Sequence, residues 1–350
     1  MKNRIIALLL SGVLAVSMFT GCSTQMDKTA AVAKANTTEI PLGVANFAVR
    51  LLQAQYDDFY VGYFGEEVWK TDLYGQGTIA EDDMKASALN SLYGMYALKE
   101  HMSDYGVEIT SEDVSAISVA AEAFINSNSA EAVEALGAEQ EYVETYLTLL
   151  TIENRMYDEV IKGADISVSD EEAKTGTYSQ VYISKDVPAD ETEESTEHDH
   201  EAELAELAET VKAFGADAKV NGLKTAAESY GYSVTTGTYN ANATALIEEV
   251  KTALSAMTED GVVSEVIDTE NGYYVLQMDA VFDQQATEEN RQSIIAEKQS
   301  SYYTKTVNAY IEEMEWSLNK KVWKQVSFDN LFTIYPPVEE TEQLEETEIE

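Results

Sequence analysis

The chain has 350 residues and a net charge of −42, from 64 acidic and 22 basic side chains. That length suits about two domains, and a hydrophobic fraction of 45% is ordinary for folded protein. No basic stripe exists to track phosphates, which excludes nucleic acid as a partner. A single cysteine, Cys22, rules out a disulfide scaffold, a zinc ribbon and a Cys-His enzyme. Ser-His-Asp chemistry would have to draw on His101, His198 or His200.

Lys2 and Arg4 precede an apolar run from Ile5 to Thr20. That run is shorter than the roughly 20 residues a spanning helix needs. A basic start, a short apolar stretch and small residues at its end read as a secretory signal peptide over residues 1–21. Phe19-Thr20-Gly21-Cys22 resembles the lipobox of bacterial lipoproteins, with Phe19 where Leu is usual. The resemblance implies that Cys22 is acylated and becomes the mature N-terminus. Two acyl chains suffice for stable anchoring, so the expected location is the extracytoplasmic face of the cytoplasmic membrane. Losing Lys2 and Arg4 takes the net charge to −44. Repulsion from an anionic leaflet then holds the body away on a linker over residues 22–38.

Residues 39–163 read as helical. Val44, Phe47, Ala48, Leu51, Leu52 and Phe59 recur at helical spacing, and Tyr56, Tyr60, Tyr63 and Phe64 crowd the end of that run. Thr78 and Glu81 have the spacing of a capping box, opening a helix that continues to about Tyr105 and stops at Gly106. A third helix follows Thr110. A fourth spans about 139–162, with Tyr142, Tyr146, Leu149, Ile152, Met156 and Val160 on one face.

The pattern changes after Gly163. Ser169 and Glu172 form another capping box. Tyr178–Ser184 reads as a strand, helices are expected near 203–214, 218–230 and 243–257, and two strands at 261–267 and 273–278 flank the turn Glu270-Asn271-Gly272. That is a small α+β unit over 164–285. A long helix resumes over 287–319, with Trp316 and Trp323 at its end. The segment 186–209 holds 11 acidic residues and no basic one, and 338–350 holds 7 glutamates and no basic one. The loop 186–199 is expected to be solvated and the tail 336–350 disordered.

This order of parts resembles the PrsA-like extracytoplasmic foldase lipoproteins, relatives of the SurA chaperones. The residues that carry the likeness are Ile166-Ser167-Val168-Ser169-Asp170-Glu171-Glu172, Gly261–Ile267 and Asn271–Leu276. The resemblance implies an α+β chain in which a split helical chaperone domain, residues 39–163 with 286–335, holds an inserted parvulin-type peptidyl-prolyl isomerase domain. It implies newly exported polypeptides as partners. Active parvulins carry a histidine in the first strand and another in the last. Those slots hold Val181 and Tyr274 here, which implies weak or lost isomerase activity.

Tyr56, Phe59, Tyr60, Tyr63 and Phe64 are the groove candidates for unfolded chains, because they crowd more faces of one helix end than a core stripe requires. Two other readings stay open: a non-catalytic holdase or assembly scaffold, and a metal-binding lipoprotein using His198 and His200. His101 reads as packing. No Gly-rich phosphate loop or nucleotide fingerprint occurs, so no cofactor is expected. A homodimer is left open.

Overall fold

A computed structural model describes residues 13–16, 26–186 and 197–335. Cys22, most of the acidic loop and the tail 336–350 lie outside them. The chain divides into a first unit, residues 1–164 with 301–350, and a second, residues 165–300. In chain order the elements are β1 (Val13–Val16), β2 (Ala31–Ala35), β3 (Thr38–Pro41), α1 (Leu42–Phe64), α2 (Ala80–His101), α3 (Ser111–Ser127), α4 (Ala130–Leu136), α5 (Gln140–Val160), α6 (Asp170–Ala173) and β4 (Gly176–Ser184). They continue with α7 (Glu197–Asn221), α8 (Leu223–Tyr230), β5 (Thr235–Tyr239), α9 (Glu248–Ala256), β6 (Ile267–Asp268), β7 (Gly272–Ala280), α10 (Gln284–Met314), β8 (Ser317–Leu318), α11 (Lys320–Trp323) and β9 (Phe332–Tyr335). The architecture is α+β, as expected.

The first unit is helical because four long apolar faces share one core. Phe47 of α1, Leu92 of α2, Phe124 of α3 and Leu147 of α5 all belong to it, with Trp323 and Phe328 from the returning chain. α3 opens with a complete capping box between Thr110 and Asp113. The box expected at Thr78 does not form: Ile79 precedes α2 without a side-chain cap. Glu81 instead pairs with Lys85 at 3.3 Å, and accepts from the Phe328 N–H. A tertiary partner has outcompeted the local cap.

The linker reading of residues 22–38 fails for its described part. Val32 and Ala33 are fully buried. The hairpin of β2 and β3 turns at Asn36, whose φ of 51° suits asparagine, and β2 also pairs with β8. Alternating alanines and a valine hide a strand that hydrophobicity alone does not reveal.

A buried polar network fastens residues 326–334 to α1. Arg50 is 3% exposed and donates to the carbonyls of Ala135, Ser327 and Asn330 and to Gln53 Oε1. Its guanidinium lies 4.9 Å from the Phe332 ring centroid. Asp57 is fully buried and accepts from Trp69 Nε1 at 2.6 Å, from the Phe332 N–H at 2.7 Å and from Gln53 Nε2 at 3.1 Å. Lys85 adds a bond to the Val326 carbonyl at 2.6 Å. Burial pushes the Arg50 guanidinium down to about 10 despite the nearby acids.

The second unit is an antiparallel sheet in the order β5-β4-β7-β6. Strand alternation sends Val181, Ile183, Tyr273 and Val275 to one face, against Val211 and Phe214 of α7 and Ala226 of α8. It sends Tyr178, Leu276 and Met278 to the other, against Val250 and Leu254 of α9. Gly272 opens β7 where a Cβ would stand 2.5 Å from the Ile183 carbonyl oxygen. The strand expected over 261–267 shrinks to β6. Its earlier residues run beside β7 instead, through Gly261 N–H to Met278 O and Ser264 N–H to Leu276 O.

The second boundary falls at 300, not 286. The first half of α10 belongs to the second unit because Asn290, Arg291 and Lys298 donate to the carbonyls of Ala173, Val168 and Ser167. The capping box of Ser169 and Glu172 does form, at the start of α6.

Burial raises the Asp57 carboxyl from 3.8 to about 6, against the pull of its three donors. The folded state therefore holds this proton more tightly than the unfolded chain, and stability from this group is lost as pH rises from about 4 to about 6. Urea titrations of the wild type and Asp57→Asn across that range should show the wild type's relative stability falling with rising pH, by at most about 3 kcal/mol. A difference that grows with pH would contradict the assignment.

Candidate functional site

The last turns of α1 leave the core. Up to Ala54 the helix is buried on most sides, and after Asp57 only Tyr60 and Val61 are partly covered. Phe59 is 57% exposed and Tyr63 76%, with Tyr56 and Phe64 also exposed. Tyr60 is half-buried at the centre, with ring centroids 5.6 Å from Phe59 and 5.3 Å from Trp69. A cavity of about 310 Å³ opens beside these rings, lined by Leu52, Tyr56, Tyr60, Trp69, Leu73, Tyr74 and Met84 with Asp83 and Ser87. Burial raises the Tyr60 hydroxyl, and its hydrogen bond with Tyr74 adds to this. All five groove candidates thus sit together: Tyr56 and Tyr60 line the cavity, while Phe59, Tyr63 and Phe64 stand outside it. Trp69, Leu73, Tyr74 and Met84 were missed. The cue was a Trp and a Tyr in a polar, glycine-bearing stretch directly after an aromatic helix end.

In the second unit the two slots implied by the family resemblance do not meet. Val181 is fully buried among α7 and α8. Tyr274 packs on the opposite, α9-facing cluster. Period-two alternation forces this, since Val181 pairs with Val275 and Tyr182 with Tyr274. The side chain that does face Tyr274 is Tyr182, with ring centroids 4.8 Å apart. The Tyr182 hydroxyl donates to the Asn271 carbonyl at 2.9 Å. Burial and then Tyr182 raise the Tyr274 hydroxyl. This face offers aromatic surface and a phenol, and no histidine lies in either strand.

Of the other candidates, Cys22 lies outside the described residues. The backbone of His198 and His200 falls in the first turn of α7 and their side chains are not described. His101 stacks on Tyr310 with ring centroids 3.8 Å apart and contacts Asp104 at 3.0 Å. Among the described residues no cluster of three or more His, Cys, Asp or Glu is placed to hold a metal. No described helix is long and apolar enough to cross a membrane.

Residues 187–291 match the family model for the PPIC-type PPIase domain. The second unit therefore carries a parvulin-type isomerase domain, although the match begins after β4 and omits the strand of Val181. No curated protein matches the chain. Among solved structures, the chain is similar to a foldase protein PrsA from Streptococcus pneumoniae, at 16% identity over 73% of this chain and 97% of that one, with a TM-score of 0.30. It is also similar to PrsA peptidylprolyl isomerases from Bacillus anthracis (15% identity, 66% and 100% covered, TM-score 0.29) and Bacillus cereus (14%, 71% and 93%, 0.30). At those scores the likeness says nothing of function.

Placing a histidine at Val181 puts an imidazole among apolar side chains with no partner, which costs about 2 kcal/mol. Urea melts of Val181→His should show that loss, and prolyl isomerase assays should show no gain. A stable variant with raised turnover would mean that Val181 faces the reacting peptide.

Proposed function

We propose that the protein is a lipid-anchored extracytoplasmic foldase that binds newly exported polypeptides in the aromatic cleft of its helical unit. The observation that carries this reading is the open cleft at the end of α1, in a chain that also holds a PPIC-type PPIase domain. Exposed apolar patches of this kind mark interaction surfaces. Aromatic rings contact many sequences because their faces ask for area rather than for a particular partner. The likeness of Phe19-Thr20-Gly21-Cys22 to a lipobox supports the location.

Prolyl isomerisation needs no strong acid, base or nucleophile. It is a rotation about a partial double bond with a barrier of about 20 kcal/mol, lowered by a pocket that desolvates the amide and favours its twisted form. The α9-facing side of the sheet keeps the phenols of Tyr182 and Tyr274 for that task. The absence of histidine from β4 and β7 favours a second reading, in which the PPIC-type unit holds peptide without turning it over.

Refolding of a protein limited by prolyl isomerisation separates these readings. A faster slow phase with trace protein means catalysis. A raised yield at stoichiometric protein only means a holdase, and no effect at either level overturns the proposal. Replacing the exposed Tyr56, Phe59 and Tyr63 by Ser should abolish most of the yield gain. Such surface changes should move stability by no more than about 0.5 kcal/mol each, so a large drop in melting temperature would count against a binding role.

A further inference from the structure

The cleft is not the only place where the helical unit can hold a polypeptide. Strand β9 has two edges. Along one, α1 supplies carboxylates: the Phe332 N–H donates to Asp57 at 2.7 Å and the Ile334 N–H to Asp58 at 3.2 Å. Along the other lies β1, antiparallel, with Leu14 opposite Ile334 and Ala15 opposite Thr333. β9 pairs with no other strand among the described residues. Leu14 is fully buried in the core of the unit, which includes Leu136 and Phe332. Its N–H turns away from β9 and donates to Asn128 Oδ1 at 2.9 Å. Asn128 is oriented for this, because its Nδ2 donates to the Phe124 carbonyl at 2.7 Å.

These contacts read backbone and one apolar side chain. Asn128 accepts from a main-chain N–H, β9 offers the main-chain groups of Thr333 and Tyr335, and one hole takes a leucine. Nothing in them depends on the identity of flanking residues, which is the logic of strand addition to a sheet edge. Yet β1 lies within residues 1–21, the segment that cleavage before Cys22 removes.

We propose that the slot between β9 and Asn128, vacated when residues 1–21 leave, binds an extended apolar segment of an exported polypeptide by strand addition. The Val-Leu-Ala-Val segment of the uncleaved chain marks its chemistry and fills it until processing. The proposal rests on the export and cleavage reading above, and it adds to the aromatic cleft a second, backbone-reading contact for the same clients. An intramolecular occupant has a high effective concentration, so the uncleaved chain is self-inhibited at this edge.

The test uses a fluorescent peptide of residues 11–18 and reads anisotropy against three proteins: the full chain, the full chain with Leu14→Arg, and the processed chain beginning at Cys22. The Leu14→Arg and processed chains should bind saturably, at least tenfold tighter than the unaltered full chain. Leu→Asp in the peptide should weaken binding at least tenfold, as should Thr333→Pro or Asn128→Ala in a processed chain whose thermal melt shows it folded. Equal binding by the full and processed chains, or indifference to Thr333→Pro and Asn128→Ala, overturns the slot. Mass spectrometry of the chain from its own cells tests the cleavage reading separately. Retention of residues 1–21 overturns a client role even if the peptide binds. Replacing Tyr56, Phe59 and Tyr63 should leave this peptide's affinity unchanged, so failure of the cleft would not be mistaken for failure of the slot.

Discussion

The helical unit exists only if residues 301–335 come back to residues 26–164, and the buried Arg50–Asp57 network is what fixes where they land. A loop closed over that many residues carries an entropic cost that local helix propensity cannot offset. Apolar contacts of Trp323, Phe328 and Phe332 supply drive but little direction. Direction comes from charge. Arg50 and Lys85, both nearly buried, draw most of their acceptors from carbonyls of 326–330 and side chains of α1 and α2, with the Ala135 carbonyl as a further partner of Arg50. A shift of the returning segment by one residue would leave a buried cation short of acceptors, which costs more than the pairing itself contributes.

Much of this was legible in advance, and two of the failures share a cause. The helices of the first unit announce themselves through period and stops: the stripe from Tyr142 to Val160 and the αL Gly106 both fall where the sequence puts them. The aromatic end of α1 was legible because it exceeds what one core face can bury. The network was not, since Arg50, Gln53 and Asp57 look like an ordinary polar face until a segment nearly 280 residues away covers them. The Thr78 cap failed for the same reason, as Glu81 had a distant partner. β2 failed because small residues in a strand carry little hydrophobic signal.

The second unit shows a different limit. Pattern matching located both strands, with the turn between β6 and β7 one residue wide of its expected place. It could not fix the parity of Val181 relative to Tyr274. In a sheet a one-residue offset moves a side chain to the opposite face, so a slot assigned by likeness along one strand can name a core residue. Once β4 and β7 are in register, Tyr182 and Tyr274 are the pair that shares the α9-facing surface. Beside these two phenols, the same face carries the aliphatic side chains of Leu246 and Ile267.

Asp57 then links the aromatic cleft to strand β9 within the helical unit. One of its oxygens accepts from Trp69, a wall of the aromatic cavity, and the other accepts from the N–H of Phe332 at the start of β9. A single carboxylate therefore positions both the indole that lines the cavity and the strand that pairs with β1. Its burial explains why this linkage is stiff. The low local dielectric that raises its pKa also strengthens each hydrogen bond it accepts. Because one buried carboxylate holds both Trp69 and Phe332, the cavity wall and the start of β9 are fixed by the same side chain.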